Sequence, residues 1–172
     1  LFVELMETST QPMVVDADGL NSLHRLQRTP SFPAARVLTP HTGELARMLG
    51  LDAAHVESDR LNVVSSGARE LGAVLVHKGA PTVVAGPDGA MAVVGSGGPG
   101  LATAGSGDVL AGVIAALLAA GHDAFEAACL GAYLHGRAGD QLESSRGIAS
   151  LLAGDLVDAL SPAVTEVESW QR

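Results

Sequence analysis

The sequence predicts a layered α/β domain, because strand-like segments alternate with helical ones along the chain. Several short apolar segments are each followed by a polar loop and then by apolar residues at helical spacing. Residues 73–77 form an almost continuous apolar run, which is typical of a strand covered on both faces. The chain has 172 residues, of which 47% are hydrophobic, and shows no internal repeat or low-complexity linker. We therefore expect one domain over residues 1–172.

The first half of the chain twice repeats the order strand, polar loop, helix. Pro40 disfavours a helical conformation at Thr39, and Thr42 is a candidate cap for the helix that follows. A further helix is indicated by an apolar stripe at helical spacing, formed by Leu61, Val64, Ala68 and Leu71. The predicted elements are a strand at Met13–Val15, a helix that begins near Leu20, a strand at 36–39, and helices at 43–49 and 58–71.

The second half begins with strands and ends with helices. The turn signal "GPDG" at residues 86–89 separates two strands, which indicates a hairpin at a sheet edge. The first of the helices carries large apolar residues at helical spacing and mostly Ala and Gly elsewhere, so we expect it to be buried nearly all round. The predicted elements are strands at 73–77, Thr82–Ala85 and 90–94, and helices at 108–120, 125–140 and 151–160.

Composition and charge exclude several classes of function. A net charge of -9 repels phosphate backbones and an aromatic content of 3% offers few stacking platforms, so we expect no nucleic-acid partner. The chain has neither an apolar window of membrane-spanning length nor a basic signal segment at its start, so no membrane association is expected. The lone Cys129 cannot form an internal disulfide, and a core thiol fits the reducing cytoplasm.

A glycine-rich loop runs directly into a long apolar helix at "AGSGDVLAG", residues 104–112. The free N–H groups and the dipole of a helix start attract anions, and Gly105 and Gly107 would let a phosphate approach the backbone. Asp108 is then either the base for a hydroxyl that attacks this phosphate or a residue that stabilises the helix start, and spacing favours neither. The segment lacks the Lys of a P-loop, and Leu110 replaces the third Gly of a dinucleotide fingerprint.

The segment "GSGDVLAG", following "PGLATA", resembles the signature of the ADP- or ATP-dependent NAD(P)H-hydrate dehydratases, in the ribokinase-like superfamily. Five further segments agree in order and spacing: "VVDADGLNSL", "LTPHTGELARMLG", "VLVHKGAPTVVAGPDG", "GAYLHGRAGD" and "LLAGDLVDAL". The resemblance implies a three-layer ribokinase-like fold with a central, mostly parallel sheet. This sheet is expected to be incomplete at its N-terminal side, since the family domain begins with additional strands and helices.

The family resemblance also implies an activity. Hydrated NADH or NADPH carries a hydroxyl on its nicotinamide ring; a nucleotide phosphorylates it, and loss of phosphate restores the reduced cofactor. ADP, giving AMP, is the usual bacterial donor, ATP is the alternative, and Mg²⁺ accompanies the nucleotide. An upstream epimerase domain on a longer chain and homo-oligomer formation through the incomplete sheet are further expectations. Two other functions stay open, namely a small-molecule kinase of the same fold and a truncated nucleotide-binding module without activity.

Carried onto this sequence, the resemblance assigns a role to each of several residues. It makes Asp108 the base in contact with the hydrate, and His41 a second contact; it places Lys78, Gly79, Ala80, Pro81 and Thr82 around the adenine nucleotide, and Gly105, Ser106 and Gly107 at its phosphates. Ordinary alternatives are a His41 side chain bonded to the backbone and a solvated Lys78. Asp16, Asp18 and Asn21 either support the substrate side or serve as turn and cap residues.

The remaining histidines show no zinc-ligand spacing, and His135 and Asp140 are expected to be packing or surface residues. Mg²⁺ is expected to use nucleotide oxygens and few protein ligands. The sequence departs from the family pattern at Thr42, Gly98, Leu101 and Ala104, where Pro, Asn, Met and Gly are usual. Ala104 is expected to crowd the backbone if that position requires a positive φ.

Overall fold

The computed structural model describes residues 1–26 and 28–170, which form eight α-helices and five strands. The helices are α1 (Phe2–Thr8), α2 (Asp18–His24), α3 (Thr42–Leu49), α4 (Ala53–Ser58), α5 (Arg60–Leu71), α6 (Ser106–Ala119), α7 (Ala124–Arg146) and α8 (Ala153–Ser169). The strands are β1 (Met13–Val15), β2 (Arg36–Leu38), β3 (Val74–His77), β4 (Thr82–Ala85) and β5 (Met91–Val94). The predicted α/β class is therefore confirmed, with strands and helices alternating in the first half of the chain.

The strands form one sheet in the order β1-β2-β3-β4-β5. The first three are parallel, with Val14 opposite Val37 and Val37 opposite Val74. Strand β4 runs antiparallel to β3 and forms a hairpin with β5 at one edge, as the turn signal predicted. Because β1, β2 and β3 are parallel, the residues that follow them meet at one end of the sheet.

Helices cover both faces of the sheet, which gives the predicted three layers. On β3, Leu75 packs into a core with residues of α2 to α5, whereas Val74 and Val76 pack into a second core with α6 and α7. A third cluster joins α7 to α8, with Leu134 and Leu156 at its centre. Successive side chains of a strand point to opposite faces, so two covered faces require the unbroken apolar run seen in the sequence.

The structure adds two helices that were not predicted in the first half. One is α1, whose Met6 is buried in the first core of the sheet. The other is α4, which ends at Ser58, while the helix predicted over residues 58–71 is confirmed as α5, beginning at Arg60. Leu61 lies in the first turn of α5 and is 47% exposed, so only Val64, Ala68 and Leu71 of the predicted stripe are buried. The spacing of apolar residues therefore predicted this helix but not the exposure of its first turn.

Helix α6 is buried on one face only, contrary to the expectation of burial all round. Leu110 and Ile114 face the core, whereas Gly112, Ala115 and Ala116 are exposed. Small residues are tolerated in both environments, so composition did not reveal the packing of this helix. Helix α6 contacts β1, which among the described residues is paired on one side only. The expected open edge of the sheet is therefore β1, which lies next to α6.

The last two helices are longer than predicted. Helix α7 continues past Asp140 to Arg146, and α8 continues past Leu160 to Ser169 with Pro162 inside it. Packing of Ala163 and an ion pair between Arg137 and Glu166 at 2.9 Å hold the part of α8 after the proline. Of the described helices, none combines the length and apolar character needed to cross a membrane.

Candidate active site

A cleft of about 480 Å³ lies at the carboxyl ends of β2 and β3, beside the first turn of α6. This is the end of the sheet at which open α/β folds bind ligands. The wall comprises His41, Lys78, Gly79, Ala80, Thr82, Ser96, Gly97, Gly98, Pro99, Leu101, Ala102, Thr103, Ser106, Gly107, Leu110, Ala132, His135 and Gly136. The cleft thus brings together residues that the family resemblance assigns to the nucleotide, to its phosphates and to the hydrate.

Lys78 is held by carboxylates and is not simply solvated. Its Nζ lies 2.9 Å from Oδ1 of Asp16, which follows β1, and 3.9 Å from Oε2 of Glu44 in α3. The backbone N–H of Lys78 donates to the carbonyl of Pro40 at 2.9 Å, which fixes the residue at the end of the sheet. The ammonium side chain is 23% exposed and the cleft reaches it. Asp16 therefore lies at the cleft margin and orients the cation.

Gly107, in the first turn of α6, has an unpaired amide and lies close to this cation. The N–H groups of Ser106 and Asp108 donate to the carbonyls of Thr103 and Gly105, whereas that of Gly107 has no acceptor in the part of the chain the structure describes. A Cβ added at Gly107 would lie 3.4 Å from both Lys78 Nζ and Asp16 Oδ2. Gly107 and the ammonium group of Lys78 therefore border the same part of the cleft.

The positive φ in the loop before α6 falls on Gly105, at +84°, and not on Ala104. The crowding expected at Ala104 therefore does not arise, since glycine adopts this conformation without a steric penalty. Gly105 itself is not part of the cleft wall and contributes the turn before α6.

His41, and not Thr42, caps helix α3. Its Nδ1 accepts hydrogen bonds from the N–H groups of Gly43 and Glu44, at 3.0 and 3.3 Å, and Glu44 Oε2 accepts from the His41 N–H at 2.9 Å. Because Nδ1 accepts, the ring proton of the neutral form is on Nε2, which lies 3.5 Å from Glu44 Oε2. The side chain is 55% exposed and lines the cleft, so backbone bonding and a ligand contact are compatible at this residue.

Asp108 is exposed on the first turn of α6, next to the cleft but not in its wall. Its carboxylate has no hydrogen-bond or ion-pair partner within residues 1–26 and 28–170. The group is therefore neither tied up in a salt bridge nor remote from the cavity.

Two other assigned groups lie outside the wall. Pro81 is turned away, and its carbonyl accepts from Arg60 at 2.6 Å. Asp18 and Asn21 lie in α2, where Asn21 Oδ1 accepts from Arg47 at 3.4 Å. Asp18 and Asn21 are thus helix residues, whereas Asp16 binds Lys78 of the cleft wall.

His135 is a site residue that sequence reasoning missed. It lies in α7, is 6% exposed, and its Nε2 is 3.3 Å from Oγ of Ser106, so the pair forms part of the cleft wall. Burial lowers the pKa of His135 to about 4, and a hydrogen bond to Ser106 opposes this only in part. The neighbouring glycines 131, 136 and 139 signal close packing of this helix, but not which element it meets.

Acidification is expected to destabilise the domain through His135 and His77, the buried last residue of β3. Burial is also the main reason that the pKa of His77 is lowered to about 4. Between about pH 4 and about pH 6.5 these two histidines bind more protons in the unfolded chain than in the native one. Their contribution to the free energy of unfolding is therefore fully present above about pH 6.5 and is lost towards pH 4. The free energy of unfolding should fall by roughly 3 kcal/mol between about pH 7 and about pH 5.

Urea unfolding at both pH values measures this loss. In His135→Gln the fall in the free energy of unfolding between these pH values should be about half as large. His122→Gln, at an exposed position, is the control and should show the same fall as wild type. An equal fall in the free energy of unfolding in wild type and His135→Gln would contradict the contribution of His135 to acid destabilisation.

Gly98 stands where the family pattern usually has Asn, and this departure has a structural reason. Glu143 of α7 places its carboxylate where a Cβ at Gly98 would be, and its Oε1 accepts from the buried Gly100 N–H at 2.6 Å. Gly98→Ala should therefore displace Glu143, leave this amide unpaired and lower the free energy of unfolding by about 1–3 kcal/mol. Gly95→Ala is the matched control, because its new Cβ would meet no atom within 4 Å. Equal stability of the two variants in urea unfolding would refute the explanation.

A family model for NAD(P)H-hydrate dehydratases matches residues 1–162. This chain belongs to the NAD(P)H-hydrate dehydratase family. It is 48% identical over 169 residues to the bifunctional NAD(P)H-hydrate repair enzyme of Moorella thermoacetica, covering 98% of this chain and 32% of the relative. It is 48% identical over 159 residues to the ADP-dependent (S)-NAD(P)H-hydrate dehydratase of Neisseria meningitidis, covering 90% of this chain and 54% of the relative. The chain thus spans about a third to a half of these dehydratase-family relatives.

Solved structures agree with this family. The ADP/ATP-dependent NAD(P)H-hydrate dehydratase of Bacillus subtilis, co-crystallised with ATP and Mg²⁺ and soaked with CoA, matches with a TM-score of 0.87 and 32% identity over 95% of this chain and 59% of that one. A ribokinase-like superfamily protein of Enterococcus faecalis matches with a TM-score of 0.75 and 28% identity, covering 89% and 52%. The predicted ribokinase-like fold is confirmed.

Proposed function

We propose that this domain dehydrates hydrated NADH or NADPH back to the reduced cofactor, with ADP as phosphoryl donor. The observation that carries the proposal is the meeting of the unpaired Gly107 amide and the Lys78 ammonium group in one cleft wall. Two such donors suit the oxygens of a transferring phosphoryl group. Membership of the dehydratase family supplies the substrate class.

The reaction divides into two steps. The hydroxyl oxygen of the hydrate attacks the terminal phosphorus of ADP, its proton passes to a base, and AMP leaves. The new C–O–P ester then loses inorganic phosphate while a proton leaves the adjacent ring carbon, which restores the double bond. Phosphorylation matters because hydroxide is a poor leaving group and phosphate is a good one.

Asp108 is the proposed base of the first step. Its free carboxylate adjoins Gly107, so it stands next to the site proposed for the transferring group. The N–H of Gly107 and Nζ of Lys78 would spread the charge that develops on the phosphoryl oxygens. His41 would donate from Nε2 to the hydrate, since its Nδ1 is engaged by the start of α3.

The nucleotide contacts are proposed on the same geometric grounds. Lys78, Gly79, Ala80 and Thr82 line the cleft and would hold the adenine nucleotide, with Pro81 shaping the loop from behind. Ser106 and Gly107 would hold its phosphates, and Gly105 would provide their turn.

The residues at the cleft fit Mg²⁺ that arrives on the nucleotide. No group of three His, Cys, Asp or Glu residues suited to a metal occurs in the described ranges, so a site made only of protein ligands is not offered there. Asp16 beside Gly107 is a carboxylate of the kind that Mg²⁺ takes along with phosphate oxygens, and nucleotide oxygens and water would supply the remaining ligands. Bound there, the ion would neutralise phosphate charge.

We place the reaction in the cytoplasm, with small molecules as its partners.

The test mixes the chain with hydrated NADH or NADPH, Mg²⁺ and either ADP or ATP. Return of the reduced-nicotinamide absorbance together with AMP release supports ADP-driven dehydration. A stable phosphorylated product would indicate a small-molecule kinase instead, and nucleotide binding without turnover would indicate a binding module. A longer polypeptide that carries the whole family domain is assayed in parallel, because the relatives extend beyond the matched region.

A further inference from the structure

A chain of hydrogen-bonded side chains runs beneath the loop between β3 and β4. The hydroxyl of Thr42 donates to Glu57, and its oxygen lies 3.1 Å from Nε2 of His77. Nδ1 of His77 lies 3.3 Å from Nε of Arg60, and the guanidinium donates onward to the Pro81 carbonyl at 2.6 Å. This series of hydrogen bonds therefore begins beside His41 and ends in the nucleotide loop, residues 78–82.

The protons in this series of hydrogen bonds have one consistent arrangement. Since the Thr42 hydroxyl donates to Glu57, its oxygen accepts from Nε2–H of His77, and Nδ1 is left to accept from Arg60. Burial, then the charge of Arg60, lowers the pKa of His77 to about 4; Glu57 opposes this shift and His41 adds to it slightly. The imidazole is thus neutral at neutral pH, and it is fully buried.

Arg60 also packs directly against the loop. A Cβ added at Gly79 would lie 2.5 Å from a terminal nitrogen of Arg60, so the guanidinium occupies the space under this glycine. Thr82 Oγ1 closes the loop from the other side by donating to the Gly79 carbonyl at 3.1 Å. Gly79 and Thr82 line the cleft, whereas the Arg60 guanidinium lies behind them. Arg60 is in position to shape the loop without contacting a ligand in the cleft.

We propose that Arg60 and His77 are positioning residues, which hold the nucleotide loop in its binding conformation and join it to the turn that carries His41. The inference rests on the proposed function, because it takes this loop as the nucleotide contact. A loop ordered before binding loses less conformational entropy when the nucleotide arrives, so removal of Arg60 should weaken affinity as well as stability. A purely structural role would lower stability and leave affinity unchanged.

The experiment compares Arg60→Met with Arg69→Met, which removes a guanidinium from the last turn of the same helix, away from the cleft. ADP affinity is measured by calorimetry, and amide hydrogen exchange of residues 78–82 is measured without nucleotide. Arg60→Met should raise the ADP Kd about tenfold and speed exchange in this loop, whereas Arg69→Met should change neither. Unchanged affinity and exchange in Arg60→Met would overturn the proposal, whatever happens to its melting temperature.

A pair of variants at His77 keeps the test decisive if Arg60→Met does not fold. His77→Gln preserves a donor and an acceptor and should stay near wild type, whereas His77→Leu should weaken ADP binding about threefold or more and loosen the loop. Equal ADP affinity and loop exchange in the two variants would also overturn the proposal. Wild-type protein that binds no ADP would instead contradict the proposed function, and the exchange measurement would still decide whether Arg60 and His77 order the loop.

Discussion

Asp108→Asn is expected to lower the dehydration rate by about 10²–10⁴-fold, the range lost when a general base is removed. Asparagine keeps the shape of the side chain but cannot take the proton of the hydrate hydroxyl. The carboxylate has no partner among the described residues, so its loss breaks no structural contact. ADP affinity should therefore stay within about threefold of wild type, because the Gly107 amide and Lys78 remain in place.

Turnover and calorimetric ADP binding are measured together, in this chain and in a longer polypeptide with the whole family domain. Asp158→Asn makes the same change at an exposed position of α8 and serves as the control for both measurements. Undiminished turnover in Asp108→Asn would remove Asp108 as the base and leave it as a residue that stabilises the start of α6.

Gly107→Ala is expected to weaken ADP binding by about a hundredfold while leaving the domain folded. In the nucleotide-free domain the new methyl group would meet Lys78 and Asp16 at 3.4 Å, an ordinary contact distance. That methyl group would nevertheless occupy the space in which a phosphate must approach the free amide. Binding should therefore fall although the free energy of unfolding hardly changes.

Gly112→Ala is the matched control for this variant, five residues further along α6. Its Cβ would have no atom within 4 Å, so it should stabilise the helix by about 0.5–1 kcal/mol and leave ADP binding intact. Calorimetry and urea unfolding of the two variants separate an effect on the phosphate site from a general effect of alanine in α6. Normal ADP affinity in Gly107→Ala would contradict a phosphate site at this amide.

Much of the fold followed from local patterns. The alternation of strands and helices, the "GPDG" hairpin and the glycine-rich start of α6 all appear as predicted, because each depends on residues close in sequence. The helix boundaries were less accurate: α7 and α8 extend beyond their predicted ends. After Pro162, α8 is held by the packing of Ala163 and by the ion pair between Glu166 and Arg137 of α7, and local spacing does not reveal such contacts.

The sequence by itself determined the order of the strands and of most helices, the family and the residues expected around a phosphate, since chain-local spacing and characteristic segments carry these features. Only the tertiary structure decided that Asp16 binds Lys78, that His135 meets Ser106, and that Arg60 donates to the Pro81 carbonyl. It also decided that one face of α6 is exposed. The physical reason is distance along the chain: Asp16 and Lys78 are 62 residues apart and meet because parallel strands end at one edge of the sheet.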